Sequence, residues 1–298
     1  MADNSRSVLN RLRRSVEHEL RKWRPAPSWT SPQRPRVAMT LRCKNEADII
    51  RQNITYHLPK VEFLIVTDNG STDDSREMLA AFESERVTII DDPTPHYQEA
   101  ERVDRMIRMA RDRGADWVIN CDADEFWVGD FQTVARKYRR RWYSRLWAPS
   151  FRMRPCAAEN AGEPDPIARM RWRDRAPDNA FRKVFHDTAR YLMIVRGNHN
   201  VAVRGGRKRR LLPDEMRIYH YQWRGFAHYL RKCVEGGKAY EGRGYARHWR
   251  RVYNVWKAGG DEGVRDLYQR EVYVPESRMG ELVRDDTIAA ALGLTNSP

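Results

Sequence analysis

A regular alternation of short apolar runs with amphipathic stretches, from Val37 to Cys121, most narrows the folds open to this chain. Val37 to Leu41, Val61 to Thr67, Val87 to Ile90 and Trp117 to Cys121 are rich in β-branched or aromatic residues and read as buried strands. Asn45 to Leu58, Asp73 to Glu83 and Glu99 to Arg113, which lie between them, read as helices. Strands joined through helices form a mostly parallel central sheet flanked by helices on both faces, an α/β architecture. After Phe131 the rhythm weakens. Residues from Pro155 to Pro177 read as loop, and Arg204 to Arg210, with Gly205 and Gly206, as an exposed basic loop. Phe181 to Phe185, Tyr191 to Val195 and Arg217 to Tyr221 read as short strands, and Phe226 to Tyr240 and Ala246 to Lys257 as helices.

In open α/β sheets, ligands bind beyond the carboxyl ends of the strands. Three polar clusters fall at such ends: Arg42-Cys-Lys-Asn-Glu46, Asp68-Asn-Gly-Ser-Thr-Asp73 and Asp122-Ala-Asp-Glu125. A parallel sheet would bring them to one rim. The three carboxylates of the last cluster repel one another unless a cation sits among them. Hard oxygen ligands suit Mg²⁺ or Mn²⁺, ions that bridge carboxylates to phosphate. A solvated turn or a helix start would also accommodate them, but the position after an apolar strand and before Phe126-Trp127 favours the cation. In the second cluster Asn69-Gly70 suits a turn, and Ser71 or Thr72 a helix cap. Such a loop could present Asp68 or Asn69 to a nucleobase edge or a ribose.

The net charge is +14. Nucleic acid, an anionic membrane surface and an anionic small substrate all suit that balance. No helix-turn-helix, zinc-finger or RNP pattern accompanies it, so no nucleic-acid partner is expected. Cys43, Cys121, Cys156 and Cys233 lack metal spacing and read as free thiols. No apolar run reaches the roughly 20 residues of a membrane span, and the basic start lacks the apolar core of a secretory signal. The expectation is cytoplasmic residence, with peripheral contact at the membrane's inner face left open. Ser5 to Trp23 reads as a basic amphipathic helix, for an anionic membrane surface or for docking on its own domain or a second subunit, followed by a Pro-rich linker from Pro25 to Pro35.

Val66-Thr-Asp-Asn-Gly-Ser-Thr-Asp-Asp-Ser75 and Trp117-Val-Ile-Asn-Cys-Asp-Ala-Asp-Glu-Phe126 resemble family 2-type glycosyltransferases. The similarity is to the bacterial branch in which the first strand leads into Lys-Asn-Glu and the metal motif reads Asp-Ala-Asp-Glu-Phe. Gly197-Asn198-His199 and His220-Tyr221 match later motifs of that branch, so the resemblance covers residues 36 to 240. It implies a GT-A fold, a Rossmann-like nucleotide-binding half plus an acceptor half, a nucleotide-diphosphate sugar donor, and a divalent metal, Mn²⁺ or Mg²⁺. Carried over by position, Asn45 and Glu46 lie in the donor-facing loop, and Asp68 and Asn69 where the nucleoside is read. Asp122 faces ribose or metal, and Asp124 is the principal metal ligand. His220 is the first choice to complete the metal site. His199 is the second, or faces the acceptor. Arg182, Lys183 and Arg224 are candidates for the phosphates, and Glu125 or the neighbourhood of Asp124 for the base of an inverting displacement.

The resulting organisation is a basic helix and linker over 1–35, a nucleotide-sugar half over 36–130, an acceptor and metal-completing half over 131–245, and a helical extension over 246–298. Trp142, Tyr143, Trp147, Trp172 and Trp223 are core residues by default, with sugar stacking as the functional alternative. The expected activity is metal-dependent sugar transfer to a glycan or lipid-linked acceptor, in polysaccharide biosynthesis. The rival classes are a non-catalytic nucleotide-binding or scaffold protein on the same fold, and a metal-dependent nucleotidyltransferase.

Overall fold

The computed structural model describes residues 34–93, 99–160, 162–195, 199–241 and 247–295. The Ser5 to Trp23 helix, almost all of the Pro-rich linker, and Gly197 and Asn198 lie outside the described residues.

Four parallel strands open the fold: β1 (Val37–Cys43), β2 (Phe63–Asp68), β3 (Val87–Asp91) and β4 (Trp117–Asp122). They lie in the order β3-β2-β1-β4. Helices α1 (Ile50–His57), α2 (Ser75–Ala80) and α3 (Glu99–Asp112) make the crossovers. Alternate β1 residues serve two cores, as strand geometry requires. Val37, Met39 and Leu41 pack with Ile50, Ile54 and Trp127, and Ala38 joins Val103, Met106 and Ile107 of α3 on the other face.

The sheet continues through β8 (Asp178–Asp187), β6 (Tyr143–Arg152), β12 (Arg217–His220) and β5 (Glu125–Val128). β8 runs antiparallel to both β4 and β6, so β6 points the same way as β4. Only Ala123 and Asp124 separate β4 from β5, although the two strands stand far apart in the sheet order. The sheet therefore curls, and the acidic turn bridges the closing gap. This is the GT-A form of the α/β class.

Several elements differ from the sequence reading. The first helix starts at Ile50 rather than Asn45. Asn45 has a φ of 54°, in the left-handed region that asparagine tolerates, and its side-chain oxygen accepts the Thr72 amide at 2.7 Å. α2 is shorter than read, and its N-cap residue is Asp74 rather than Ser71 or Thr72, while Asp73 just before it accepts the Ser75 amide at 3.0 Å. Phe131 opens helix α4 (Phe131–Arg139), where Asp130 accepts the Thr133 amide at 3.0 Å. The expected loop from 155 to 177 contains a short helix, α5 (Pro166–Arg169), and β7 (Trp172–Asp174), both too brief for periodicity to reveal. The expected basic loop contains β11 (Arg207–Arg210), which pairs with the start of β6. Its mostly exposed basic side chains protect an edge strand rather than mark a loop. Two further helices are α6 (Phe226–Ala239) and α7 (Arg247–Glu271), the latter broken at Gly260, where φ is 60°.

A buried pair on α1 sets the path of the acidic turn. Asn53 Nδ2 donates to the carbonyl oxygens of Ala123 at 2.9 Å and Glu125 at 2.8 Å. One turn later, His57 Nε2 accepts the Trp127 amide at 2.9 Å. His57 Nδ1 lies 2.9 Å from the Asn53 carbonyl oxygen, which can only accept, so the proton resides on Nδ1. Burial, with Lys60 nearby, lowers the His57 pKa to about 3 and keeps the ring neutral. Asn53→Ala strands two buried carbonyls and is expected to lower the unfolding free energy by about 2–4 kcal/mol. Urea denaturation measures this, and a loss below about 1 kcal/mol would show that the turn is held by other contacts.

Candidate active site

Strand register brings the three clusters together. β1 lies between β2 and β4, with Cys43 beside Asp68 and Arg42 beside Asp122. Glu125 of β5 pairs with His220 of β12, and the Tyr221 amide donates to the Asp124 carbonyl at 2.8 Å. The acidic turn is thus held on one side by α1 and on the other by the end of β12.

Asp122 is partly exposed, and both its oxygens are engaged. Arg42 donates to Oδ1 through Nε at 3.0 Å and Nη2 at 2.5 Å, and Lys183 Nζ donates to Oδ2 at 2.5 Å. Burial alone would raise its pKa, but Arg42 and Lys183 hold it well below the usual carboxylate range. Asp124 is buried. Lys232 Nζ lies 2.6 Å from its Oδ2, and His220 Nε2 lies 3.5 Å from its Oδ1. Burial opposes the charge on Asp124, while Lys232 and then His220 hold its pKa well below normal.

Glu125 behaves differently from its neighbours. Burial pushes its pKa up to about 7, against the pull of Lys183 3.3 Å away and with a further push from Asp122. Its Oε2 accepts the Asp122 amide at 3.2 Å.

The donor-loop residues are bound to α6 and the segment before it. Glu46 accepts from Arg224, and from Lys232 at 2.9 Å. Arg224 also clamps Asp48 with two bonds, of 2.7 and 2.8 Å. Asn45 donates to Glu235 at 3.3 Å, and its carbonyl accepts from Arg231 at 3.0 Å. Asp68 closes its own loop, taking the Ser71 amide at 3.0 Å and the Ser71 hydroxyl at 2.5 Å. Asn69 accepts from Arg102 at 2.9 Å and donates to the Asp92 carbonyl at 3.0 Å.

The structure therefore gathers Glu46, Asp122, Asp124, Glu125, Lys183, His220 and Arg224 around the rim, with Asn45, Asp68 and Asn69 shaping the loops beside them. His199 joins the strand that carries Lys183: its Nδ1 donates to the Arg182 carbonyl at 2.9 Å. Trp142 is 57% exposed, with the Arg190 guanidinium 5.0 Å from its ring, but it precedes β6, at the opposite end of the sheet from Asp122. Trp223 packs edge-on against Tyr229 and Trp249.

Lys232, Asn53, His57, Arg231 and Glu235 are absent from the sequence reading of the site. A signal for some of them existed. His228 and Lys232 recur at fourfold spacing on one face of α6, as do Asn53 and His57 on α1, and Arg224 stands four residues ahead of His228, just before its helix. His228 is held neutral by burial and by Arg224 and Lys232.

Near this rim Asp122, Asp124, Glu46 and Asp48 face Arg42, Lys183, Lys232 and Arg224, so the pairs balance when Glu125 carries its proton. All four cysteines are buried and free, as expected.

Residues 42–152 match the family model described as Glycosyl transferase family 2. That stretch resembles family 2 glycosyltransferases. The match spans the three rim loops, whereas Lys183, His220, Arg224 and Lys232 follow it in sequence. Among solved structures, the chain is similar to S. aureus TarS 1-349, at 10% identity, over 73% of this chain and 69% of that one, with a TM-score of 0.40. It is also similar to glucosyl-3-phosphoglycerate synthase from Mycobacterium tuberculosis in complex with Mn²⁺, uridine diphosphate and glucosyl-3-phosphoglycerate. There the identity is 19%, over 43% of this chain and 50% of that one, with a TM-score of 0.28, so the match spans about half of the synthase. Likenesses this distant give no residue correspondence. No curated protein matches the sequence.

The raised Glu125 pKa has a definite consequence for stability. The folded protein keeps this proton at pH values where an unfolded chain, with a pKa near 4.5, has lost it. The contribution is complete below the unfolded value and is lost as pH rises through about 7. The stability of wild type relative to Glu125→Gln is therefore expected to fall between about pH 5 and about pH 8 in urea denaturation series. A pH-independent difference would contradict the raised value.

Proposed function

We propose that this protein moves a sugar from a nucleotide-diphosphate donor to a hydroxyl of a glycan or lipid-linked acceptor, with inversion at the anomeric carbon. The observation that supports it is the meeting of the Asp122–Glu125 turn, the Glu46 loop and the cations Arg42, Lys183, Arg224 and Lys232 at the carboxyl ends of parallel strands. In the reaction, the bond from the anomeric carbon to the diphosphate oxygen breaks as the acceptor oxygen bonds to that carbon. The nucleoside diphosphate leaves with the electron pair, and the acceptor proton passes to a base. Glu125, with a proton affinity near neutrality, is the carboxyl assigned to that proton. Asn45, Glu46, Asp68 and Asn69 shape the donor's loops, Arg182 and Lys183 belong to the phosphate side, and His199 is left to the acceptor.

A divalent cation, Mn²⁺ or Mg²⁺, belongs to this proposal. Asp124 and His220 would hold it, with Asp122 on the same turn and Glu46 across the Lys232 ammonium. Their carboxylate oxygens and imidazole suit such an ion. Among the described residues no three His, Cys, Asp or Glu side chains form a preformed metal site, and the nearest opposed pair, Asp124 and His220, has Lys232 beside it. The charge balance favours the ion: with Glu125 ionised to act as the base, the rim carries one negative charge in excess of its four pairs, and an entering diphosphate requires added positive charge, which a divalent cation would supply to the leaving group.

No helix among the described residues is long and apolar enough to cross a membrane, and cytoplasmic action is part of the proposal. Asp124→Asn is expected to reduce nucleotide-sugar turnover by about 10²-fold or more while the protein still melts cooperatively. A panel of nucleotide sugars assayed with Mn²⁺ and with chelator tests this. Undiminished turnover would refute the role of Asp124. Consumption of nucleoside triphosphate instead of sugar diphosphate would identify a nucleotidyltransferase, and donor binding without turnover a scaffold.

A further inference from the structure

The four cations of the rim are not equally held. Arg224 has a fully buried side chain, with bonds to Glu46, both oxygens of Asp48 and the Tyr221 carbonyl. The Lys183 side chain is 5% exposed, between Asp122 and Glu125. Arg42 makes two bonds to one oxygen of Asp122. Lys232 is different: its side chain is 23% exposed, the most of the three cations on Glu46, Asp124 and Glu125, and it ends in a compact ammonium on a flexible stem.

That ammonium sits between the two carboxylates that would receive a divalent ion. It lies 2.9 Å from Glu46 Oε1 and 2.6 Å from Asp124 Oδ2, and Asp124 faces His220 through its other oxygen. Without the ammonium, Glu46 keeps Arg224 and Asp124 keeps only the His220 imidazole, and a buried carboxylate that loses its cation is costly, so another cation must compensate. A divalent ion can replace the ammonium there without exposing either carboxylate. The displaced ammonium, still tethered to α6 at the rim, then needs an anionic partner, and the diphosphate is the anion that enters.

We propose that Lys232 is the exchangeable cation of this site: it neutralises Asp124 and Glu46 in the donor-free protein, and binds the donor's diphosphate once a divalent ion takes its place. The inference rests on the nucleotide-sugar reading above, and its test needs no turnover.

Mn²⁺ alone and inorganic pyrophosphate are the probes. By calorimetry, Lys232→Met and Lys232→Gln are expected to bind Mn²⁺ at least about tenfold more tightly than wild type, because the competing ammonium is gone. With Mn²⁺ saturating, both variants are expected to bind pyrophosphate at least about tenfold more weakly. Equal or weaker Mn²⁺ binding in the variants, or unchanged pyrophosphate binding, would overturn the exchange. Wild-type protein supplies a measurement independent of variant folding: reductive methylation read by mass spectrometry. Mg²⁺ alone should increase the labelling of Lys232, and added pyrophosphate should reverse it. Labelling indifferent to Mg²⁺ would also overturn the proposal. Wild type that turns over a nucleotide sugar while Lys232 labelling stays constant leaves the transferase reading intact and removes this inference. Wild type that turns over no nucleotide sugar removes the transferase reading instead.

Discussion

Asp124 and Glu46 are buried at the rim of the sheet, and both accept from the Lys232 ammonium of α6, Glu46 also from Arg224 just before that helix. The rest of the site depends on this constraint. An ionised carboxylate away from water must be paired, and a pair between separate segments fixes those segments relative to each other. Glu46 comes from the loop after β1, Asp124 from the turn after β4, and Lys232 from α6. One ammonium thus joins three parts of the chain at the place where a parallel sheet presents its ligands.

The backbone beneath this network is determined by neutral groups. Asn53 and His57 hold the acidic turn through its carbonyls and the Trp127 amide, and His57 does so as a neutral ring. The division is clear in the contacts: neutral bonds set the path of the turn, and charged side chains pair above it. Glu125 lies between the two regimes. Its carboxyl is tied to the turn by the Asp122 amide, yet its proton affinity lies near neutrality.

Much of this could be read from the residues in order. The first four strands are apolar runs bounded by polar clusters, and the clusters meet because the strands are parallel neighbours with matching ends. The acidic turn was legible from three carboxylates following Cys121, and His220 from its place after a short apolar strand. Lys232 was not legible as a partner of Asp124, because 108 residues separate them, and 186 separate Lys232 from Glu46. No local pattern encodes a contact of that range. The sequence pattern overextends the first helix because one asparagine, Asn45, takes a left-handed backbone and accepts the Thr72 amide. The sequence of β11 suggests a loop because its basic residues protect an edge rather than alternate with apolar residues.

The central claim is that loops from β1, β4 and β12, secured by α6, form one seat for a sugar-bearing diphosphate. A crystal structure of the protein with Mn²⁺ and a nucleoside diphosphate tests it most directly. The account predicts the diphosphate between the Asp122–Asp124 turn and the start of α6, with the Lys232 ammonium on a phosphate oxygen. A diphosphate bound at the other end of the sheet, near Trp142, or one at the rim with Lys232 still on Asp124 and Glu46, would contradict it.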